Sequence, residues 1–125
     1  MKSIIKIPNA PAPIGPYSQA VLKNDTLYVS GQIPIDPHSR ELKVDNLSTA
    51  TQQVMENIKA LIETADFKMT DIVKCSIFLR SMNDFKEVNT MYENYFQSEP
   101  PARETVAVKE LPKDAPVEIS CIAIR

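Results

Sequence analysis

A chain of 125 residues, 43% hydrophobic and 24% charged, is long enough to bury one core and gives no reason to expect a second domain. Its 14 Lys and Arg against 16 Asp and Glu leave a formal net charge of -2, which provides no field to gather nucleic acid or an anionic membrane surface. One histidine and two glycines leave little from which to build Ser-His or Cys-His catalysis, a His-rich metal site or a phosphate-cradling glycine loop.

In chain order, MKSIIKIPNAPAP holds an apolar run of only a few residues before prolines begin. That is shorter than a signal peptide or a spanning helix requires, so the expectation is a cytoplasmic protein. SIIKI is a weak strand candidate. Gly15 in IGPYSQA and Gly31 in VSGQIP fall where a positive φ or a close backbone approach would call for glycine. DTLYVSG reads as a strand, and His38 sits in the turn-like DPHSREL.

NLSTATQQVMENIKALIETADF is the clearest helix. Leu47, Val54, Ile58, Leu61, Ile62 and Ala65 recur at three- and four-residue spacing, behind Asp45, Asn46 and Ser48 as candidate caps. DIVKCSIFL alternates with β-branched content, as a strand does. NDFKEVNTMYENYF is a second helix, with Asn83 or Asp84 as cap, a stripe of Phe85, Val88, Tyr92, Tyr95 and Phe96, and EPP as its stop. ETVAVKE and VEISCIAI complete the strands. Cys75 and Cys121 form no CxxC and read as buried free thiols.

This order predicts an α+β fold in a single domain spanning 1–125, a mixed sheet with both helices on one face. Alternation then sorts the strand residues. Leu27, Val29, Cys75, Ile77, Val106, Val108, Ile119, Cys121 and Ala123 would face the helices. Tyr28, Ser30, Ser76, Phe78, Arg103, Thr105, Ala107, Glu118, Ser120 and Ile122 would face away. A face of small polar, aliphatic and aromatic groups is neither a dry core nor a solvated surface, and suggests an oligomer interface or a wet cleft.

Arg103 follows two prolines at the threshold of a strand in SEPPARETVAV. A planar guanidinium there suits bidentate capture of a carboxylate, and it also suits a surface or interface salt bridge to Glu104, Glu99 or Glu118. Asn89 falls about 20° from Phe96 and about 40° from Phe85 on the second helix, within its apolar stripe. A buried amide requires partners, either backbone or ligand. Tyr17 offers a phenol after a Gly-Pro turn, for binding or for ordinary packing.

NAPAPIGPYSQAV (9–21), VSGQIPIDP (29–37), NDFKEVNTMYENYF (83–96), PPARETVAVKELPKDAPVEI (100–119) and CIAI (121–124), in order and at suitable spacing, resemble the RidA/YjgF family of reactive intermediate deaminases. The resemblance implies a chorismate-mutase-like fold, assembled as a homotrimer with clefts between subunits. It implies cofactor-free hydrolysis of 2-imino and enamine acids such as 2-iminobutanoate and 2-iminopropanoate to 2-keto acids and ammonia, with no metal. Arg103 takes the place of the carboxylate-binding arginine. Tyr17, Ser30, Gly31 and Asn89 line the cleft, and Thr105 contributes backbone to the substrate. The sequence departs from the family at Glu104, where serine is usual, and at Ser120, where a second glutamate thought to position the attacking water is common. An arginine without that glutamate also fits a module that binds a small carboxylate without chemistry. An endoribonuclease, reported for some members, conflicts with the acidic balance and the lack of a basic, aromatic groove.

Overall fold

The computed structural model describes residues 1–8 and 13–125, so the first four residues of the NAPAPIGPYSQAV segment lie outside the described residues. Among the described residues the chain forms six strands and two α-helices: β1 (Ser3–Ile5), β2 (Ala20–Lys23), β3 (Thr26–Gln32), α1 (Leu47–Thr64), β4 (Ile72–Leu79), α2 (Phe85–Glu93), β5 (Ala102–Ala107) and β6 (Val117–Ile124). The strands make one sheet in the order β1-β2-β3-β6-β4-β5. Only β4 and β5 run parallel, with α2 as the crossover between them, and every other neighbouring pair is antiparallel. The α+β expectation with a mixed sheet therefore holds, with one strand added.

The added strand is β2, only four residues long and closed onto β3 by a tight turn. Asn24 in that turn has φ 54, a left-handed conformation that Asn tolerates through its short polar side chain. Four residues are too few for a period-2 pattern to stand out.

Helix α1 begins where its cap predicts, because the Asn46 side chain accepts from the Thr49 N–H. Helix α2 begins differently from the expected Asn83 or Asp84 cap. Ser81 accepts from the Asn83 N–H and opens a 3-10 turn at Met82–Asp84, while Asp84 makes no capping bond. The helix ends at Glu93, before the predicted Phe96.

The core lies between the helices and one face of the sheet. Val54, Ile58, Leu61 and Ile62 of α1 and Val88 and Tyr92 of α2 pack with Leu27, Ile77, Ile119 and Cys121. Each fully buried Leu or Ile stabilises the fold by roughly 1.5–3 kcal/mol before entropy is counted. Cys75 and Cys121 stand directly across the β4–β6 ladder from one another, buried and unbridged. Burial raises the pKa of both thiols, so they stay protonated.

Strand β5 corrects the facing assigned by alternation. Its register sets Arg103 beside Cys75 and Thr105 beside Ile77, so these two residues share the helix face rather than the face of Ser120. Glu104 and Val106 lie beside Ser76 and Phe78 on the other face, and Val106 is 43% exposed. The rule that valines turn inward fails here because β5 is an edge strand beside a face that is itself half apolar.

Candidate functional site

The Arg103 side chain is half-buried at the start of β5, just after two consecutive prolines that hold the incoming backbone extended. Its Nη1 donates to Asn89 Oδ1 at 2.7 Å. The guanidinium stands 5.0 Å from the ring centroid of Tyr92 and 5.7 Å from that of Phe85, within the range of cation–π attraction. Among the described residues no carboxylate forms an ion pair with it. Within the chain, Arg103 thus makes no salt bridge to Glu104, Glu99 or Glu118. Glu104 instead turns to the opposite face, where it pairs with Lys74 at 2.8 Å and accepts from the Ser76 hydroxyl. The Lys74 and Ser76 hydrogen bonds hold its carboxyl below the usual range.

Asn89 satisfies its carbonyl on Arg103 rather than on backbone, which fixes the guanidinium by one corner and leaves its other donors for a ligand. Two further buried side-chain oxygens, the Tyr92 hydroxyl of α2 and Thr105 Oγ1 of β5, have no oxygen or nitrogen partner among the described residues. Burial first, and then the adjacent Cys75 thiol, push the Tyr92 phenol above its ordinary range. It therefore serves as a neutral, half-apolar wall.

A second group of residues gathers on β3 and β6. The register passes from Val29 opposite Cys121 to Gln32 opposite Ile119, so Ser30 and Gly31 together face Ser120 across a bulge. The Ser30 hydroxyl donates to the Ser18 carbonyl at 2.6 Å, and its N–H donates to the Gln19 carbonyl at 2.9 Å. At Gly31 a Cβ would sit 2.5 Å from Glu118 Oε2 and 2.6 Å from its Cδ, so a larger residue would push the Glu118 side chain aside. The Glu118 carboxylate, thus laid over Gly31, is part-buried and unpaired, and burial raises its pKa. The sequence reading placed Glu118 on this face and gave it no role beyond that of a salt-bridge partner. Its signal was the glutamate at an alternating position in VEISCIAI, two residues before Ser120 on the same face.

Gly15 differs, being held by a positive φ of 108 with open space around it. Tyr17, whose N–H donates to the Gly15 carbonyl, is 56% exposed in the loop before β2.

The two groups do not meet within one chain. At the usual strand spacing of about 4.8 Å, β6 lies about 10 Å and β3 about 14 Å from β5 in the sheet order. Ser120 also points away from the face that carries Arg103. The structure thus joins Arg103, Asn89 and Thr105, separately joins Ser30, Gly31 and Ser120, and leaves Tyr17 at the far side. Among the described residues no group of three or more His, Cys, Asp or Glu gathers as metal ligands, and no helix is long and apolar enough to cross a membrane.

A family model described as Endoribonuclease L-PSP matches residues 7–125. A solved Yersinia pestis protein of the conserved Rid family is 45% identical, with a TM-score of 0.95 over 100% of both chains. The chain belongs to the RidA/YjgF family. Within that family, a Dermatophagoides farinae relative named 2-iminobutanoate/2-iminopropanoate deaminase is 47% identical across 98% of this chain and 96% of its own. The Escherichia coli protein TdcF, solved with bound serine, is 36% identical with a TM-score of 0.92, covering 98% of each chain. The arrangement of two helices on a six-stranded sheet is thus a RidA/YjgF arrangement.

Proposed function

We propose that this chain hydrolyses reactive 2-imino and enamine acids, such as 2-iminobutanoate and 2-iminopropanoate, to 2-keto acids and ammonia without a cofactor. The observation that carries the reading is Arg103, a half-buried guanidinium oriented by Asn89 and lacking any carboxylate of its own. Such a group awaits an acid from outside. The deaminase name of the mite relative and the serine bound to TdcF, itself a small amino acid with a carboxylate, support the same ligand class.

The working unit is a homotrimer. The face of the sheet away from the helices leaves Tyr28 51%, Val106 43% and Ile124 47% exposed, an apolar surface suited to burial against further copies. In that assembly Arg103, Asn89 and Thr105 of one copy meet Ser30, Gly31, Glu118, Ser120 and Tyr17 of the next, uniting the two groups that one chain keeps apart.

Arg103 clamps the substrate carboxylate and so fixes C2 of the iminium. The Glu118 carboxylate holds a water against C2 and takes its proton as the C–O bond forms, with Ser120 as a second hydrogen-bond partner to that water. Protonated Glu118 then returns that proton to the nitrogen of the carbinolamine; as the C–N bond breaks and the C=O forms, the hydroxyl proton passes to the Glu118 carboxylate and on to the departing ammonia, which leaves as ammonium with the 2-keto acid. The sequence reading has Ser120 and nearby backbone groups orient that water; Glu118, two residues away on the same face, adds a carboxylate, which accepts a proton where a serine hydroxyl does not. The endoribonuclease description of the family model finds little support in a chain of net charge -2.

The test is a threonine dehydratase reaction followed through the absorbance of its enamine and imine intermediates. Faster decay on adding this protein, without added cofactor, is the expected result. Unchanged decay together with measurable 2-oxobutanoate affinity would favour a module that only binds.

A further inference from the structure

Helix α1 turns an apolar stripe into the core, and two buried polar residues interrupt it, Thr51 and Asn57. Thr51 bonds within its own helix, its hydroxyl donating to the Leu47 carbonyl at 2.9 Å. Asn57 reaches out of the helix. Its Nδ2 donates to the Ile35 carbonyl at 2.8 Å and to the Ile33 carbonyl at 3.4 Å, and its Oδ1 accepts from Gln53 Nε2 at 2.9 Å. A leucine at this position would avoid the desolvation of an amide. What the amide adds is a fixed place for the chain it holds.

That chain is the exit from β3. Ser30 and Gly31 lie where the β3–β6 register is interrupted, between Val29 and Gln32, so the sheet ladder alone does not set their position. Upstream, the Ser30 N–H and hydroxyl donate to the Gln19 and Ser18 carbonyls. Downstream, Asn57 holds the carbonyls on either side of the buried Pro34, and the Lys43 N–H holds the carbonyl of Pro34 itself.

We infer that Asn57 is a positioning residue for the water-holding half of the site: it fixes the chain leaving β3, and with it the Ser30–Gly31 bulge over which the Glu118 side chain lies. The inference rests on the proposed role of Glu118. Asn57 acts through backbone, two residues beyond Gly31, and makes no hydrogen bond to Glu118. Without Nδ2 the Ile33 and Ile35 carbonyls lose their partner beside the core, and the segment shifts toward water to regain one. Gly31 moves with it, and Glu118 loses the backbone surface that shields it. A displacement of about 1 Å at a reacting group costs up to about 10²-fold in rate.

The experiment compares Asn57→Leu and Asn57→Asp with the wild type on 2-iminobutanoate. Leucine removes every polar bond, whereas aspartate keeps the shape but offers no donor to the two carbonyls. Both should lower kcat about 10- to 100-fold and leave 2-oxobutanoate affinity, which reports Arg103, within about twofold by calorimetry. The acid limb of kcat/KM should also move to lower pH, because a loosened Glu118 is better hydrated. The charges facing Glu118, the Lys74–Glu104 pair on its own sheet and Arg103 of the next copy in the proposed trimer, are the same in all these proteins. Gln53→Ala loosens the amide without opening the core, and should move kcat and the acid limb the same way by a smaller amount. If the Asn57 variants do not fold, Gln53→Ala decides, and an unchanged kcat and limb overturns the inference. Folded Asn57 variants that melt lower yet keep kcat and the acid limb would make Asn57 a packing residue, with the proposed function intact. A wild type that leaves imine decay unchanged overturns the proposed function and this inference with it.

Discussion

The two faces of the sheet are built from similar residue types and solve different problems. On the helix side, Leu27, Cys75, Ile77 and Ile119 are at most 1% exposed, and the single strong charge, Arg103, is held between rings and an amide. On the other side, Tyr28, Val106 and Ile124 remain about half open, and the charges Lys74 and Glu104 neutralise each other. The closed face keeps its cation unneutralised, while the open face pairs Lys74 with Glu104 and leaves only the part-buried Glu118 without a partner among the described residues. On the proposed reading, the half-buried cation is where a ligand supplies the missing anion, and the half-open apolar face is where further copies pack.

The sharpest way to break this contrast is Arg103→Lys. An ammonium cannot reproduce the two parallel hydrogen bonds of the guanidinium, so kcat/KM for 2-iminobutanoate should fall by about 10²-fold or more, the scale of losing a preorganised donor. The circular dichroism spectrum should be unchanged. Turnover near that of the wild type would end the anchor assignment.

Glu118 gives the next largest effect. Burial raises its folded pKa above the ordinary glutamate range, so the water-holding, ionised form is lost as pH falls through a value higher than for a free glutamate. The acid limb of the kcat/KM profile should therefore lie above that range, and Glu118→Gln should erase the limb while lowering kcat about 10²-fold. The linkage sign runs the other way for stability. Because the fold disfavours the charged form, Glu118 costs stability above its folded pKa and relieves that cost as pH falls through it, so Glu118→Gln should be slightly more stable at neutral pH. An acid limb that survives in the glutamine variant would assign the titration to another group.

Ile119 and Ile122 compare the faces on one strand. Ile119→Ala should destabilise by about 3 kcal/mol in denaturant melts at any protein concentration, as core truncations do. Ile122→Ala should cost less than about 1 kcal/mol in dilute protein, and more as concentration rises and copies cover that face. Equal, concentration-independent losses would mean that the second face stays open.

Ser120→Ala should give the smallest effect, a two- to threefold drop in kcat on the order of one lost neutral hydrogen bond, with 2-oxobutanoate affinity unchanged by calorimetry. A larger loss would shift the water-holding role from Glu118 back to Ser120.

Much of this was legible beforehand. The periodicity of 46–67 and the β-branched runs gave the helices and four strands, because long amphipathic patterns survive without tertiary knowledge. The sequence marked Arg103 and Asn89 as residue types out of place where they stand, but spacing left each open between a ligand contact and a structural bond, and did not show that they bond to one another. The facing of β5 was not legible: Thr105 and Val106 suit either side, and only the parallel register with β4 decides between them. Glu118 stayed hidden for a similar reason. Its distinction comes from lying over Gly31, a contact between residues 87 positions apart in the sequence.

The side-by-side thiols of Cys75 and Cys121 also give the molecule a clock. The chain has no tryptophan, so intrinsic fluorescence reports little of its opening. A thiol reagent, however, reaches either sulfur only when the helices lift from β4 and β6. If that layer opens as one unit, both cysteines label at one rate, and a 2-keto acid seated on Arg103, the next residue in the same row after Cys75, slows them together. Two separate rates would instead reveal that α2 can peel away while α1 stays down.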